Sequence, residues 1–418
     1  MKQSSQTSPC GELLAALAGA TERVVELQTA LTAARALPPE NGGDGESEKA
    51  AWIEARLAAL GIADMRHVDA PDGRVSSGLR PNIVARIPGE STRTLWLFGH
   101  MDVVAAGDPA AWTGDPWLVR RDGDRLYGRG VEDNQQAIVC MLLLAEALKR
   151  TGIRPALSLG MVFMADEENG SRYGLAHILK TAPELFARDD IYIVPDFGSP
   201  DASIIEVAEK AQLWLRFETI GKQCHASTPE KGVNAMVAAS HLVTALAEGL
   251  AESFTERNAI FSPPTCTFVP SRRELNVEGI NILPGRDVFY VDCRLLPAVR
   301  QEDVLARVSE IAGRVERERG VRIKVTVAQS QKASFTDAAS PDVGLLQDAV
   351  ESEYGIRPRP VGVGGGTVAA HLREKGLPAL VWARILNTCH QPDECGLISA
   401  AVGDSRVFAR LIMNGSHA

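Results

Sequence analysis

Three apolar runs separated by helical segments most strongly limit how this chain can fold. The runs are TLWLFG (94–99), LSLGMVFMA (157–165) and IYIVP (191–195), and none of them alternates between apolar and polar residues. Uniformly apolar strands are buried on both faces, as in parallel sheets covered by helices. The intervening segments 134–150 and 172–186 have the periodicity of such helices. The sequence therefore predicts an α/β domain with a mainly parallel sheet and helices on both faces.

Apolar and polar residues begin to alternate in the middle of the chain. The segments 212–221 and 321–329 alternate in this way, and strongly amphipathic helices lie between them. Alternation indicates strands with one face in the core and one face in solvent, as in antiparallel sheets. We therefore predict a smaller inserted α+β domain, an antiparallel sheet with two helices, over residues 212–331. Residues 1–211 and 332–418 are assigned to the α/β domain.

The N-terminal region has a helical pattern and no targeting signal. Residues 11–36 form one amphipathic stretch, and residues 49–60 form a second one after an acidic loop rich in glycine and proline. No cationic segment is followed there by an apolar stretch and a cleavage site. No run in the chain approaches the roughly 18 apolar residues of a membrane span. We expect a cytoplasmic protein without membrane association.

Charge and cysteine content exclude some classes of partner and site. The 418 residues carry a formal net charge of -9 at pH 7. This negative charge disfavours nucleic acid and anionic membrane surfaces as partners, so neither is expected. The seven cysteines include no CxxC pair, which indicates reduced thiols rather than a zinc finger or a disulfide framework.

Acidic residues and histidines occur where the predicted strands end. The apolar runs lead into GHMDVV, ADEENGS and PDFG, while another acid begins a helix after a glycine-rich turn and a histidine follows the last strand. The carboxyl ends of parallel strands meet at one edge of a sheet, so these side chains can converge. Histidines and carboxylates together form a ligand set for a pair of divalent metals, with zinc favoured. The residues concerned are His100, Asp102, Asp133, Asp166, Glu167, Glu168, Asp196 and His390.

Each of these signals alone has a simpler explanation. His100 and Asp102 share one face of an extended chain, and such pairs occur as satisfied polar pairs at strand ends. Asp133 fits the N-cap of the following helix, and the acidic triplet fits a solvated loop. It is the expected convergence of all of them that favours a metal site.

The order of these residues resembles the dinuclear zinc peptidases and deacylases. That family includes carnosinase-type dipeptidases, aminoacylase, acetylornithine deacetylase, succinyl-diaminopimelate desuccinylase and carboxypeptidase G. The motifs GHMDVV, LYGRGVEDN and ADEENGS match it closely, as do the gaps of 33 residues from His100 to Asp133 and 28 from Glu168 to Asp196. The inserted domain matches as well, so the resemblance covers nearly the whole chain.

The resemblance implies a ligand set for two divalent cations. Asp133 would bridge the two metals, His100 and Asp196 would bind one, and Glu168 and His390 would bind the other. Zinc is the expected metal, with manganese or cobalt as alternatives.

The resemblance also implies three catalytic residues. Glu167 would be the general base for the attacking water, and Asp102 would orient His100. His225, in GKQCHASTPEKG, would stabilise the oxyanion, often in the partner subunit's site. No role follows for Asp166, which we interpret as structural.

Further positions resemble residues that line the family's substrate cleft. Asn281 and Arg294 are two of them, and Arg294 suits a substrate carboxylate; a structural arginine at a strand end is the alternative. The glycine loop supplies the remaining three, which are Gly365, Gly366 and Thr367. The family often has aspartate after Gly-Gly-Thr, where this chain has Val368, so one contact there is open. A homodimer formed through the inserted domain is the expected assembly.

We therefore predict a metal-dependent hydrolase for the amide bond of a short peptide, with an N-acyl amino acid deacylase as the alternative. Aspartate rather than glutamate at 196 favours the peptidase branches. Nucleotide binding through VGVGGGTVAAHL is disfavoured, because Thr367 replaces the third glycine and no ribose-binding acid follows. A non-catalytic scaffold would be expected to lack the base or a ligand, and none is missing.

Overall fold

The computed structural model describes residues 8–414, which divide into two units. Unit 1 comprises the chain up to Val207, Thr336–Pro360 and the chain from Thr367 onward. Unit 2 comprises Ala208–Phe335 and Val361–Gly366. The role of residues 212–331 as an inserted lid or dimerisation domain stays a prediction.

The α-helices of the described range belong to both units. Those of unit 1 are α1 (Pro9–Ala18), α2 (Thr21–Ala33), α3 (Ser47–Ala59), α4 (Gln135–Thr151), α5 (Leu175–Thr181), α8 (Pro341–Tyr354), α9 (Ala369–Glu374) and α10 (Ile398–Asn414). Those of unit 2 are α6 (Ala235–Ser253) and α7 (Gln301–Arg319).

The strands of the described range are numbered in chain order. The first ten are β1 (Asp64–His67), β2 (Ala70–Pro71), β3 (Leu79–Arg80), β4 (Ile83–Ile87), β5 (Thr94–His100), β6 (Arg120–Asp122), β7 (Arg125–Tyr127), β8 (Ser158–Met164), β9 (Ile191–Gly198) and β10 (Ile204–Glu209). The next ten are β11 (Ala211–Ile220), β12 (Cys224–His225), β13 (Thr267–Arg273), β14 (Ile282–Leu283), β15 (Arg286–Leu295), β16 (Arg322–Gln331), β17 (Ser334–Phe335), β18 (Arg359–Val363), β19 (Ala379–Ala383) and β20 (Cys395–Leu397).

The main sheet of unit 1 is mixed and has a parallel centre. Its strands run in the order β1-β4-β8-β5-β9-β19-β10. The pairs β8/β5, β5/β9 and β9/β19 are parallel, whereas β1/β4, β4/β8 and β19/β10 are antiparallel. Every residue of β5 and β8 is buried, as expected for strands covered on both faces. The predicted α/β fold class is confirmed.

The prediction of one N-terminal helix over residues 11–36 was wrong. The chain forms α1 and α2, which are separated at Gly19 and Ala20. The N–H of Ala20 donates to the carbonyl of Leu17 at 3.1 Å, a tight turn that ends α1. Both helices pack against α10 and α4. The same pattern of apolar residues is therefore compatible with two short helices as well as with one long helix.

The helix predicted over residues 172–186 is shorter than expected. α5 ends at Thr181, and Pro183 begins a single 3-10 turn. A proline disfavours helical backbone angles at the residue before it. Ala182 precedes Pro183 and accordingly has φ −137° and ψ 51°.

Gly99 allows α4 to lie close against β5. A Cβ at Gly99 would be 2.8 Å from Met141 Cε on α4 and 3.4 Å from Asn134 Oδ1. Trp96 and Phe98 point to the opposite face of the strand, where they join a buried cluster with residues of α5 and α9. This packing brings the N-terminal end of α4 beside the C-terminal end of β5.

Unit 2 has a four-stranded antiparallel sheet in the order β13-β15-β11-β16. Residues of β11 alternate between buried and partly exposed, as its sequence pattern predicts. Phe217 on β11 stacks on Phe289 of β15, with ring centroids 4.8 Å apart. The helices α6 and α7 pack together and against this sheet. The predicted antiparallel sheet with two helices is confirmed.

No helix within residues 8–414 combines the length and the apolar character that crossing a membrane requires.

Candidate metal centre

Three side chains of types that can bind a metal meet where β5 and β9 end. His100 is the last residue of β5, Asp196 lies near the end of β9, and Asp133 lies just before α4. His100 Nε2 is 2.9 Å from Asp133 Oδ1 and 3.5 Å from Asp196 Oδ1. One ligand atom from each residue lies within 4.8 Å of the other two. One imidazole and two carboxylates are a donor set that suits a divalent cation.

A second group of three shares Asp133 with the first. His390 Nε2 lies 3.2 Å from Asp133 Oδ2 and 3.2 Å from Glu168 Oε2. One ligand atom from each of these residues again lies within 4.8 Å of the others. The two oxygens of Asp133 thus face different imidazoles, which is the arrangement that a carboxylate bridging two cations requires. The side chain of His390 is 54% exposed, whereas that of His100 is 1% exposed.

Asp102 contacts both His100 and the turn that carries the acidic residues. His100 Nδ1 lies 2.9 Å from the backbone carbonyl oxygen of Asp102 and 3.5 Å from its carboxylate Oδ1. A proton on Nδ1 that is donated to this carbonyl leaves the Nε2 lone pair free for a metal. The carboxylate of Asp102 accepts the N–H groups of Glu167 and Glu168, both at 3.0 Å. Asp102 therefore positions the acidic turn through its carboxylate and His100 through its backbone carbonyl.

The electrostatics of the site favour a bound cation. Burial and the neighbouring Asp196 raise the pKa of Glu167 well above its usual range. Burial also raises the pKa of Glu168 to about 7, and it raises the pKa of Asp196. Carboxylates that share a buried space resist ionisation, and divalent cations restore the ionised forms. The residues present therefore fit two divalent cations.

Glu167 directly precedes the candidate ligand Glu168 in the chain. Neither of the two ligand groups found among residues 8–414 includes it. Adjacent to Glu168 in a 3-10 turn, it is held through its backbone by Asp102. A carboxylate so placed, and not committed to a metal, suits a general base.

Asp166 shapes the acidic turn. Its backbone has φ 62°, and its Oδ2 accepts the N–H of Tyr173 at 2.9 Å. Arg80 is fully buried, with its Nη1 3.7 Å from Asp166 Oδ1, and it forms an ion pair with Glu46. A left-handed residue needs such support. These contacts agree with the structural interpretation of Asp166.

Sequence reasoning missed Asn134, which joins the ends of β5 and β9. Its Nδ2 donates to Asp196 Oδ1 at 2.7 Å and to the Pro195 carbonyl at 2.8 Å, and its Oδ1 accepts the N–H of His100 at 3.3 Å. The peptide bond between Asp133 and Asn134 is cis. Adjacency to Asp133 was the only signal in the sequence. Two buried glutamates, Glu132 and Glu394, were also missed.

His225 and Asn281 are neighbours in unit 2. β12 pairs with β14, and the N–H of Ala226 donates to the carbonyl of Asn281 at 2.9 Å. The Nδ1 of His225 accepts the backbone N–H of Ser227 at 3.1 Å. In the neutral ring the proton therefore lies on Nε2, which can donate to a substrate oxygen.

Arg294 and the glycine loop contact each other in unit 2. Arg294 Nε and Nη2 donate to Asp292 at 2.7 and 3.0 Å, and its Nη1 donates to the carbonyl of Gly364 at 2.8 Å. These bonds use three of the five guanidinium N–H groups and leave two for another acceptor. A Cβ on Gly366 would lie 3.1 Å from the side-chain nitrogen of Gln212, so this loop passes close to β11. Gly365 lies between these contacts.

Thr367 and Val368 belong to unit 1. The Thr367 hydroxyl accepts the N–H of Ala369 at 3.1 Å at the start of α9. Val368 is 1% exposed and belongs to the buried cluster that includes Trp96 and Phe98. The valine side chain thus packs in the core, which accounts for an apolar residue at this position.

Comparison with known proteins agrees with this geometry. Residues 96–414 match the family model described as peptidase family M20/M25/M40. The chain belongs to the M20/M25/M40 peptidase family. The matched range contains the residues of both ligand groups, and the predicted resemblance to dinuclear metal peptidases and deacylases is confirmed.

Individual relatives span several activities of the M20 family. An uncharacterized metallohydrolase of Methanocaldococcus jannaschii is 35% identical, over 94% of this chain and 99% of its own length. A succinyl-diaminopimelate desuccinylase of a Methylobacterium species is 27% identical, over 90% of this chain and 91% of its own. Human carnosine dipeptidase 1 is 15% identical, with a TM-score of 0.77, over 97% of this chain and 98% of its own, a likeness of fold.

Membership of the M20 family makes this chain a metallohydrolase that uses divalent metal ions. Two groups of side chains that could each hold a metal ion, at the end of the parallel strands, agree with that activity.

Proposed function

We propose that this M20 enzyme hydrolyses the amide bond of a short peptide, in the manner of a dipeptidase or exopeptidase. The observation that carries the proposal is the pair of ligand groups sharing Asp133, with Glu167 beside them and in neither group. His100 and Asp196 would hold one cation with Asp133, and Glu168 and His390 the other. Zinc is the metal proposed first, because imidazole and carboxylate ligands are mixed.

The side chains of this site divide the work of hydrolysis. Bound divalent cations supply polarisation of a carbonyl and acidification of water. The Glu167 carboxylate accepts a proton from the attacking water and returns it to the leaving nitrogen. The Asp102 carboxylate holds the backbone of Glu167 and Glu168, so base and ligand keep a constant separation. The Asp102 carbonyl keeps His100 Nε2 directed at the ligand group.

Residues of unit 2 are proposed to bind and polarise the substrate. His225 would donate from Nε2 to the oxygen that gains charge, since Ser227 occupies its Nδ1. The two remaining N–H groups of Arg294 suit a substrate carboxylate. Asn281 would line the substrate cleft. The loop residues Gly365 and Gly366, together with Thr367 of unit 1, are assigned to the polar end of the substrate.

Deacylation of an N-acyl amino acid is the second candidate function. Relatives named succinyl-diaminopimelate desuccinylase match this chain at 26–28% identity over most of its length. Both reactions cleave an amide beside a carboxylate, so the same side chains serve either. The aspartate at 196 supports the peptidase, and these relatives support the deacylase.

A substrate panel separates the two reactions. Dipeptides, tripeptides, N-acetyl and N-succinyl amino acids are incubated with the purified chain and zinc, manganese or cobalt, and release of free amine is measured. We expect peptide cleavage that a chelator abolishes and added metal restores. Cleavage of the N-acyl compounds alone would establish the deacylase instead. Amide hydrolysis that persists after metal is stripped would contradict both, and the Glu167→Ala chain controls for contaminating peptidases.

A homodimer formed through unit 2 is the proposed assembly. β13 is an edge strand with five exposed residues, and Val269 on it is 52% exposed. Met236 and Val237 on α6 are 41% and 43% exposed. Unpaired strand edges and exposed apolar side chains favour association with a second protein chain. Among homo-oligomers, the closed two-fold dimer is the commonest.

Sedimentation equilibrium tests this assembly. We expect twice the chain mass of 44.9 kDa for the native chain, and the single mass after Val237→Lys and Val269→Lys are combined. The matched control combines Leu118→Lys and Ile356→Lys, at exposed residues of unit 1, and should leave the mass unchanged. A native chain that sediments as a monomer at micromolar concentration would refute the dimer.

The cytoplasm stays the predicted compartment, because all seven cysteines are free thiols.

A further inference from the structure

Two buried glutamates connect the loop that carries Asp133 with the loop that carries His390. Glu132 directly precedes Asp133, and Glu394 lies four residues after His390. Their exposed fractions are 3% and 0%. Burial of a carboxylate is unfavourable unless hydrogen bonds compensate it, so such groups are held by specific partners. We call Glu132 and Glu394 the carboxylate clamp.

Glu394 holds the loop of Asp133. Its Oε1 accepts the backbone N–H of Glu132 at 2.9 Å and that of Asp133 at 3.0 Å. Its Oε2 accepts the N–H of Gly130 at 3.0 Å and a hydrogen bond from Nη1 of the buried Arg129 at 2.6 Å. Four donors therefore bind the Glu394 carboxylate. One of them is the backbone N–H of Asp133, so Glu394 fixes the backbone of the residue that both ligand groups share.

Glu132 holds the loop of His390 in return. Its Oε2 accepts the N–H of Leu386 at 2.7 Å, and its Oε1 accepts the N–H of Thr388 at 2.6 Å. Each loop thus supplies a carboxylate that binds backbone N–H groups of the other. More than 250 residues of chain separate the two partners of each of these bonds.

The loop of His390 needs support from outside itself. Asn387, His390 and Asp393 have φ values of 60°, 62° and 54°. Residues with side chains adopt this region only where the surroundings enforce it. Besides the bonds from Glu132, the hydroxyl of Thr113 donates to Asp393 at 2.6 Å. His390 itself is more than half exposed, so packing contributes little to its position.

The two residues of the first ligand group that are not shared with the second have a different support. His100 and Asp196 lie on strands of the sheet, and Asn134 bonds to both of them. Loss of the clamp should therefore displace His390 from Asp133 and Glu168 and leave the pair on the strands in place.

We propose that Glu132 and Glu394 are positioning residues that set the distance between Asp133 and His390 and so complete the second cation site. This inference rests on the proposed two-metal function. It concerns residues that touch neither ligand atoms nor substrate through their side chains.

Cobalt titration of the full chain tests the clamp. The metal-stripped native chain, Glu132→Gln and Glu394→Gln are titrated with cobalt(II), and binding is followed by visible absorption and calorimetry. We expect the native chain to bind two ions. Each variant should bind one ion within about twofold of native affinity and the other about 10–100-fold more weakly, the usual effect of losing support for a ligand. The double variant should be weakened by less than the sum of the two singles, because the clamp acts as one unit.

Asp190 provides a matched control. It is 4% exposed and accepts the N–H of Thr94, the Nε1–H of Trp96 and the N–H of Ala187 at 2.7–3.1 Å. These bonds lie at the opposite ends of β5 and β9 from the ligands. Asp190→Asn should lower the melting temperature but keep two cobalt ions, so a general loss of stability is distinguished from loss of a ligand.

The outcomes separate this inference from the proposed function. A native chain that binds fewer than two ions contradicts the two-metal function itself. A native chain that binds two ions, with both Gln variants equal to it, overturns the clamp. If the Gln variants do not fold, Glu132→Asp keeps the charge but shortens the side chain by one methylene. Weakening of one ion in that variant supports the clamp, and native affinity for both refutes it.

Discussion

The substitution Glu167→Ala is expected to lower kcat by about 10²–10⁴-fold, the usual effect of removing a positioned acid–base group. The Glu167→Ala chain should still bind two metal ions, because neither ligand group includes this side chain. Its turn should also persist, since Asp102 holds the backbone N–H and not the carboxylate of residue 167. The measurements are steady-state kinetics on the best substrate of the panel and metal content of the same preparation.

The matched control is a glutamate on the surface. Glu184→Ala removes an exposed side chain that pairs with Arg66, and it should leave kcat and metal content unchanged. Full activity of Glu167→Ala would show that another group moves the proton. Loss of metal together with activity would show instead that Glu167 is a ligand.

The substitution Asp133→Asn is expected to remove both metal ions and to reduce activity to less than about 1%, since the metals supply the activated water. Asp133 is the one residue that the two described ligand groups share. Its oxygens lie 2.9 Å from His100 and 3.2 Å from His390, on the two sides of the site. Asparagine keeps the shape but supplies one neutral oxygen, which cannot balance two cations. Metal analysis after dialysis provides the measurement.

Variants of the unshared ligands complete this test. Glu168→Ala should lose one ion and keep the other, because it belongs to one group alone. Asp122→Asn, on the exposed strand β6, should keep both ions and full activity. Two ions retained by Asp133→Asn would contradict its bridging role.

The fold class was predictable because its signals are local. Runs such as those of β5 and β8 are apolar at every position, and in water such a strand is stable only between two layers. The break between α1 and α2 was not predictable, since the same apolar stripe suits one helix or two. Both helices pack against α4 and α10, which lie far away in sequence. This packing determines that the segment forms two helices.

Part of the candidate site could likewise be inferred from position along the chain. His100 and Asp196 follow apolar strands, and parallel strands end at a common edge, so their meeting follows from topology. The neighbours Glu167 and Glu168 differ in role for a reason that local spacing does not contain. One reaches the ligand group of His390 and the other does not, which depends on how Asp102 holds their turn.

The supporting residues were invisible in the sequence. Glu132, Glu394 and Asn134 bind backbone groups or side chains on other elements, and no local pattern marks an acceptor for a distant N–H. Val368 shows the opposite case. Its position in the sequence resembles a substrate contact of the family, but its side chain packs into the core of unit 1.

By itself the sequence determined the α/β class, the family and the identity of the side chains able to bind metal. Strand burial can be inferred from short apolar runs, and the ability to bind metal depends on residue type. Only the tertiary structure decided that Asp133 faces both imidazoles, that Asp166 supports the acidic turn and that two buried glutamates join the ligand loops. Those relations depend on distances between atoms that folding alone brings together.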